Sequence, residues 1–137
     1  MENLRRKGIL ASNKESKNFY EKNFGLTDYS APEQFLECPG GATFFDEEAQ
    51  RVKVYLNPYL HLFKPDYQLT VVLEEAIHWY QLRRAGRKKV TLVDEIEAKD
   101  RLLKIADFLG FNKQRVKFLQ EAKVQLEKEL EDFRSSV

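Results

Sequence analysis

Residues 67–86 read YQLTVVLEEAIHWYQLRRAG. The spacing predicts a helix over 67–85, with Asp66 as its cap and Gly86 as its stop. Leu69, Val72, Leu73, Ala76, Ile77, Trp79 and Tyr80 fall on one broad arc. Glu74 and His78 share the opposite side, flanked by Val71 and Leu82. Working upstream, residues 57–66 hold Pro58 and Pro65 and read as a connection. Before it, RVKVYL (51–56) alternates Val52, Val54 and Leu56 with Arg51, Lys53 and Tyr55, the pattern of a half-buried strand. A polar turn at 46–50 joins it to ATFFD (42–46), which makes an antiparallel hairpin. Pro39-Gly40-Gly41 separates that strand from another at 34–38 (QFLEC). Ser12 or Asn13 caps a first helix over 13–24, ended by Gly25, and residues 1–12 form an arm.

Downstream, a third helix is expected over 93–109, with Asp94 as its cap and Gly110 as its stop. Ala98, Leu102, Ile105, Ala106 and Leu109 are its apolar stripe. The last helix, 113–134, follows an Asn112 cap. Val116, Leu119, Lys123, Leu126, Leu130, Phe133 and Val137 form a seam that one lysine interrupts, and its simplest use is to cover the sheet or the third helix. The expected fold class is α+β: an N-terminal helix, a small antiparallel sheet, then three helices. We read residues 1–137 as a single domain, with an arm (1–12), a helix-plus-sheet part (13–66) and a helical part (67–137).

Composition narrows the function. Apolar residues are 42% and charged residues 33%, and 23 Lys+Arg against 22 Asp+Glu leave a net charge of +1. That balance argues against a surface built throughout for nucleic acid. No apolar run approaches the roughly 20 residues of a membrane span, so no membrane partner is expected. The first residues lack a secretory pattern, and Cys38 is the lone cysteine, which reads as a cytoplasmic protein. Two histidines, His61 and His78, with one cysteine exclude zinc fingers and three-histidine metal sites within one chain. Gly40-Gly41 lacks the Lys-Ser/Thr of a phosphate loop, and no nucleophile elbow is present.

The chemistry-bearing string is Glu74-Glu75-Ala76-Ile77-His78, with Glu97-Ala98 nineteen residues beyond His78. It resembles the small zincin metallopeptidases, which carry His-Glu-x-x-His on a helix behind a sheet-edge strand. In the gluzincin branch a glutamate on the next helix is the third ligand. The similarity runs over residues 50–109 and is nearest to minimal peptidases of the ImmA/IrrE kind. It implies a zincin-like scaffold, with Glu74, His78 and Glu97 at the metal positions and Glu75 as general base. The metal would be zinc or another divalent ion, and His61 could add a ligand. The departure is Glu74, which stands where the family has its first histidine. Two carboxylates cancel the charge of a divalent ion and weaken it as a Lewis acid. Without metal, Glu74 and His78 pair at i, i+4 for about 0.2–0.5 kcal/mol. The leading expectation is therefore a relic that needs no cofactor.

Two surfaces then stand out. Five of the seven residues at 83–89 are basic: Arg83, Arg84, Arg87, Lys88 and Lys89. They suit the negative end of a helix dipole, and equally an acidic partner. Aromatics such as Tyr59 and Phe63 exceed what one small sheet buries, and aromatics near arginines mark protein interfaces. The expected function is a non-catalytic protein-binding regulator with a larger protein as partner. Small single domains of this kind in phages or mobile elements inhibit or redirect a host machine such as RNA polymerase. A metal-dependent peptidase with an altered Glu/His/Glu site, and a nucleic-acid-binding domain, are the alternatives.

Overall fold

The computed structural model describes residues 40–56 and 63–136. The arm, the helix expected over 13–24, the strand at 34–38, and Cys38, Tyr59 and His61 lie outside the described residues. The described residues are α+β. They form strands β1 (Gly41–Asp46) and β2 (Arg51–Leu56), then helices α1 (Pro65–Ala85), α2 (Leu92–Lys104), α3 (Ala106–Leu109) and α4 (Lys113–Ser135).

β1 and β2 pair antiparallel, with Thr43 opposite Val54 and Phe45 opposite Val52. Directly opposed residues share a face, so these four side chains turn together toward α1. Val52, Val54, Val71, Val72, Ala76, Trp79 and Leu82 make one core cluster there, with Phe45, Tyr67 and Val90 at its edge. A two-stranded hairpin is marginal alone, and this helix face is what holds it. Burial of side chains such as Val54, Val72 and Leu82 contributes about 1.5–3 kcal/mol each.

A second cluster lies across α1. Leu69 and Leu73 meet Leu102, Ala106, Leu109, Phe111 and Leu119 from the later helices. α1 is thus packed on two sides, not one. Val71 and Leu82, expected to flank a polar side, are buried, and Tyr80, expected in the apolar arc, is 65% exposed. The hairpin and the helical layer divide the helix between them: the hairpin covers Val71 and Leu82, and the helical layer covers Leu69 and Leu73.

Three helix ends also differ from expectation. α1 starts two residues early, with Lys64 at the cap and Pro65 in the first turn. Proline suits that position because its missing N–H has no helical acceptor there. Asp66 lies inside the first turn, where its carboxylate accepts from the backbone N–H of Asn112 at 3.3 Å. Thr91, not Asp94, caps α2, and Asp94 returns the bond to the Thr91 backbone in a capping box. The helix expected over 93–109 breaks at Ile105, and the short α3 that follows brings Ala106 and Leu109 onto α1. Asn112, Gly86 and Gly110 act as expected, the glycines with φ of 62° and 72°. α4 covers α2, its seam anchored by buried Leu119. Lys123, the interruption in that seam, pairs with Asp100 of α2 at 3.1 Å. Phe133 falls off the seam and is exposed.

Candidate functional site

Glu74 and Glu75 are neighbours on α1, so they point about 100° apart. That angle sends them to different elements. Glu75 turns to the hairpin, where the Thr43 hydroxyl lies 2.7 Å from its Oε2 and 3.2 Å from its backbone carbonyl. A hydroxyl has one hydrogen, so both contacts are satisfied together when the Glu75 carboxyl is protonated and donates to Thr43. Its acidity agrees. Burial pushes the Glu75 carboxyl up to about 8; Thr43 and Lys99 oppose the rise, while Glu74 and Glu95 add to it.

Glu74 turns to α2, where the Lys99 ammonium makes a close ion pair with its Oε1. His78 is 4% exposed, and its Nε2 is 3.9 Å from the same oxygen, too far for a hydrogen bond. The Gln81 amide donates to the Asp94 carbonyl at 3.0 Å, which aims Gln81 Oε1 at His78 Nδ1, 2.8 Å away. Nδ1 is therefore the protonated ring nitrogen in this network.

Glu97 does not join them. It is exposed and pairs with Arg101 at 2.8 Å, one turn along its own helix. Lys99, two residues further on and about 200° round α2, takes the inward position. Among the described residues no three His, Cys, Asp or Glu side chains converge to hold a metal ion. The ligand set of Glu74, His78 and Glu97 is therefore not assembled. The reason is helical phase: the α2 face that packs on α1 carries Ala98 and Lys99, not Glu97. Glu75, matched to the general base, is closed off beneath Thr43.

The expected partner-binding residues separate into two groups. Phe63 lies just before α1, and the basic group lies at its far end. The helix has 21 residues, and at 1.5 Å each it spans about 30 Å. Within the basic group, Arg87 grips both Asp94 oxygens at 2.5 and 2.6 Å. Its guanidinium holds the Asp94 carboxyl below the usual carboxylate range, with Thr91 assisting. Lys88 reaches Glu47 at 3.2 Å and lies over the Phe45 ring. Arg83 sits 4.5 Å above the Trp79 ring. Arg84 and Lys89 are exposed and make no ion pair among the described residues. Arg84 also borders a cleft of about 420 Å³ with Tyr80, Arg87 and Arg101.

At the other end, Phe63 packs on Tyr67 at 5.1 Å, and Arg115 lies between the rings of Tyr67 and Phe118 at 5.3 and 5.1 Å. Sequence reasoning missed Thr43, Lys99, Arg115 and Phe118. Lys99 had a signal, because it shares the inward face of α2 with Ala98 and Leu102. Arg115 and Phe118 had none, since their neighbour Tyr67 is distant in sequence.

In comparison with known proteins, no family matches the chain, no curated protein matches it, and no solved structure matches its fold. No helix among the described residues is long and apolar enough to cross a membrane.

Proposed function

We propose that this chain is a non-catalytic regulator that acts by binding another protein, on a zincin-like scaffold whose metal and base positions have become an internal polar network. The observation that carries the reading is the fate of the paired glutamates. Lys99 supplies Glu74 with the positive charge that a metal would give, and Thr43 closes over Glu75. A general base must reach the water it activates, and this one faces the hairpin. The exposed chemistry is instead aromatic and basic: Phe63, Tyr80, Phe118, Arg84 and Lys89. Tyrosine and arginine dominate binding hot spots. The lone Cys38 fits a cytoplasmic place of action.

The test is cross-linking in cells followed by identification of a stoichiometric partner, with RNA polymerase, the expected target class, tried first as purified enzyme. Charge reversal at Arg84 and Lys89 should weaken capture, because neither side chain has an internal role; reversal of Arg87 would instead break its pair with Asp94. Glu75→Gln should leave capture unchanged. About one equivalent of divalent metal per chain, together with a peptidase activity lost in Glu75→Gln, would overturn the proposal.

A further inference from the structure

The starts of α1 and α4 meet around a cleft of about 510 Å³ lined by Lys64, Asp66, Tyr67, Gln114, Arg115 and Phe118. We propose that this cleft takes an acidic segment of a partner protein, one that sets a carboxylate against Arg115 and an apolar side chain against Phe118 and Phe63. The inference rests on the protein-binding reading above and assigns it a place and a partner chemistry.

Charge argues first. The first turn of α4 holds no acidic residue, although a helix start favours negative groups. It carries Lys113 and Arg115, followed by Lys117. Lys64 stands at the start of α1. Lys64 and Lys113 make no ion pair among the described residues, and Lys117 has a loose one to Glu121 at 3.9 Å. The carboxylate in the cleft, Asp66, is buried and accepts from the Asn112 backbone. Cations crowd a positive dipole end, and an arriving carboxylate relieves that repulsion. The donors argue second. Arg115 makes no side-chain hydrogen bond or ion pair among the described residues, so its guanidinium has donors to offer a ligand carboxylate.

The apolar half of the site is equally exposed. Phe63 is 43% and Phe118 53% accessible. Phe118 and Tyr67 flank the Arg115 guanidinium and Phe63 packs on Tyr67, the pairing of aromatic and arginine that protein interfaces favour. A nucleic-acid strand fits less well. Arg115 already covers the faces of Tyr67 and Phe118 on which bases would stack. The cations of the cleft, Lys64, Lys113, Arg115 and Lys117, cluster at the starts of α1 and α4 and form no track for a phosphate backbone among the described residues.

The test titrates the full chain into fluorescent peptides of about ten residues, one alternating Glu with Leu and one alternating Lys with Leu, and into an oligothymidine of the same length. The Glu peptide should bind, and weaken with added salt. Its affinity should fall about tenfold or more in Arg115→Gln and in Phe118→Ala. Phe118 is exposed, so its variant retains the fold. Lys128→Glu, at an exposed position far along α4, should leave it unchanged. Equal binding of both peptides, binding that survives the two cleft variants, or tighter binding of the oligonucleotide would each overturn the inference. Loss of binding in Arg84→Glu alone would also overturn it, while leaving the wider protein-binding reading standing on the basic end of α1.

Discussion

Glu75 couples a side chain beneath the hairpin to the pH of the solution. Its carboxyl titrates near 4.5 in an unfolded chain and at about 8 in the fold. Below the first value both states hold the proton, and pH does not act through this group. Between the two values only the unfolded chain releases it, so stability falls as pH rises, by up to about 1.4 kcal/mol per unit. Above about 8 the fall ends. Glu75→Gln keeps the shape and removes the ionisation. It should match the parent near pH 4 and exceed it by about 2 kcal/mol or more at pH 8. Urea denaturation at several pH values measures this, and parallel curves for parent and variant would refute a protonated Glu75. Asp94 acts with the opposite sign. Arg87 lowers its acidity range, so its stabilisation is present at neutral pH and is lost as pH falls through the lowered folded value. Glu74 is held by the Lys99 ammonium, which lies against it.

Between elements, the tightest seam is hairpin against α1. A Cβ on Gly40 would lie 2.9 Å from Val71 Cγ2 and 3.3 Å from Tyr67 Oη. Glycine stands there because the strand runs directly over the helix. Gly40→Ala should cost about 1–3 kcal/mol by forcing the hairpin outward. Adding Val71→Ala should recover part of that loss, since it removes the clashing methyl groups. Thermal melts of the single and double variants provide the measurement, and strictly additive losses would argue that Gly40 matters for another reason. α2 shows how an element is positioned rather than merely formed. Its capping box fixes where the helix begins, and that phase sends Lys99 inward and Glu97 out to Arg101. A start one residue later would turn every side chain by about 100°.

At the scale of the molecule, α1 is the shared centre. The hairpin core and the helical core lie on its two sides and have no other described scaffold in common. Losing α1 should therefore lose both. Trp79, the one tryptophan, reports on the hairpin side, and far-ultraviolet circular dichroism reports mostly on the helices. Their denaturation curves should coincide, and a separate fluorescence transition would show two independent units. The same geometry holds the basic and aromatic surfaces about 30 Å apart along the helix, so they are two faces and not one patch. Much of this was legible in the chain. Alternation gave β2, the 46–50 turn gave its partner strand, and Gly86, Gly110 and Asn112 marked helix limits, because each of these signals is local. Glu74, Glu75 and His78 could be placed on one helix for the same reason. Their roles could not be assigned, because a carboxylate takes its chemistry from what faces it. Sequence placed Glu97 on the next helix but not its rotation about that helix, which packing against α1 sets. What the sequence alone determined is the order and type of the described elements, apart from the break at Ile105, through short-range periodicity and capping. Only the tertiary structure decided that Lys99 and Thr43 meet the two glutamates, and that Arg115 lies against Tyr67, because those contacts join residues 25, 32 and 48 positions apart and depend on how whole helices are turned.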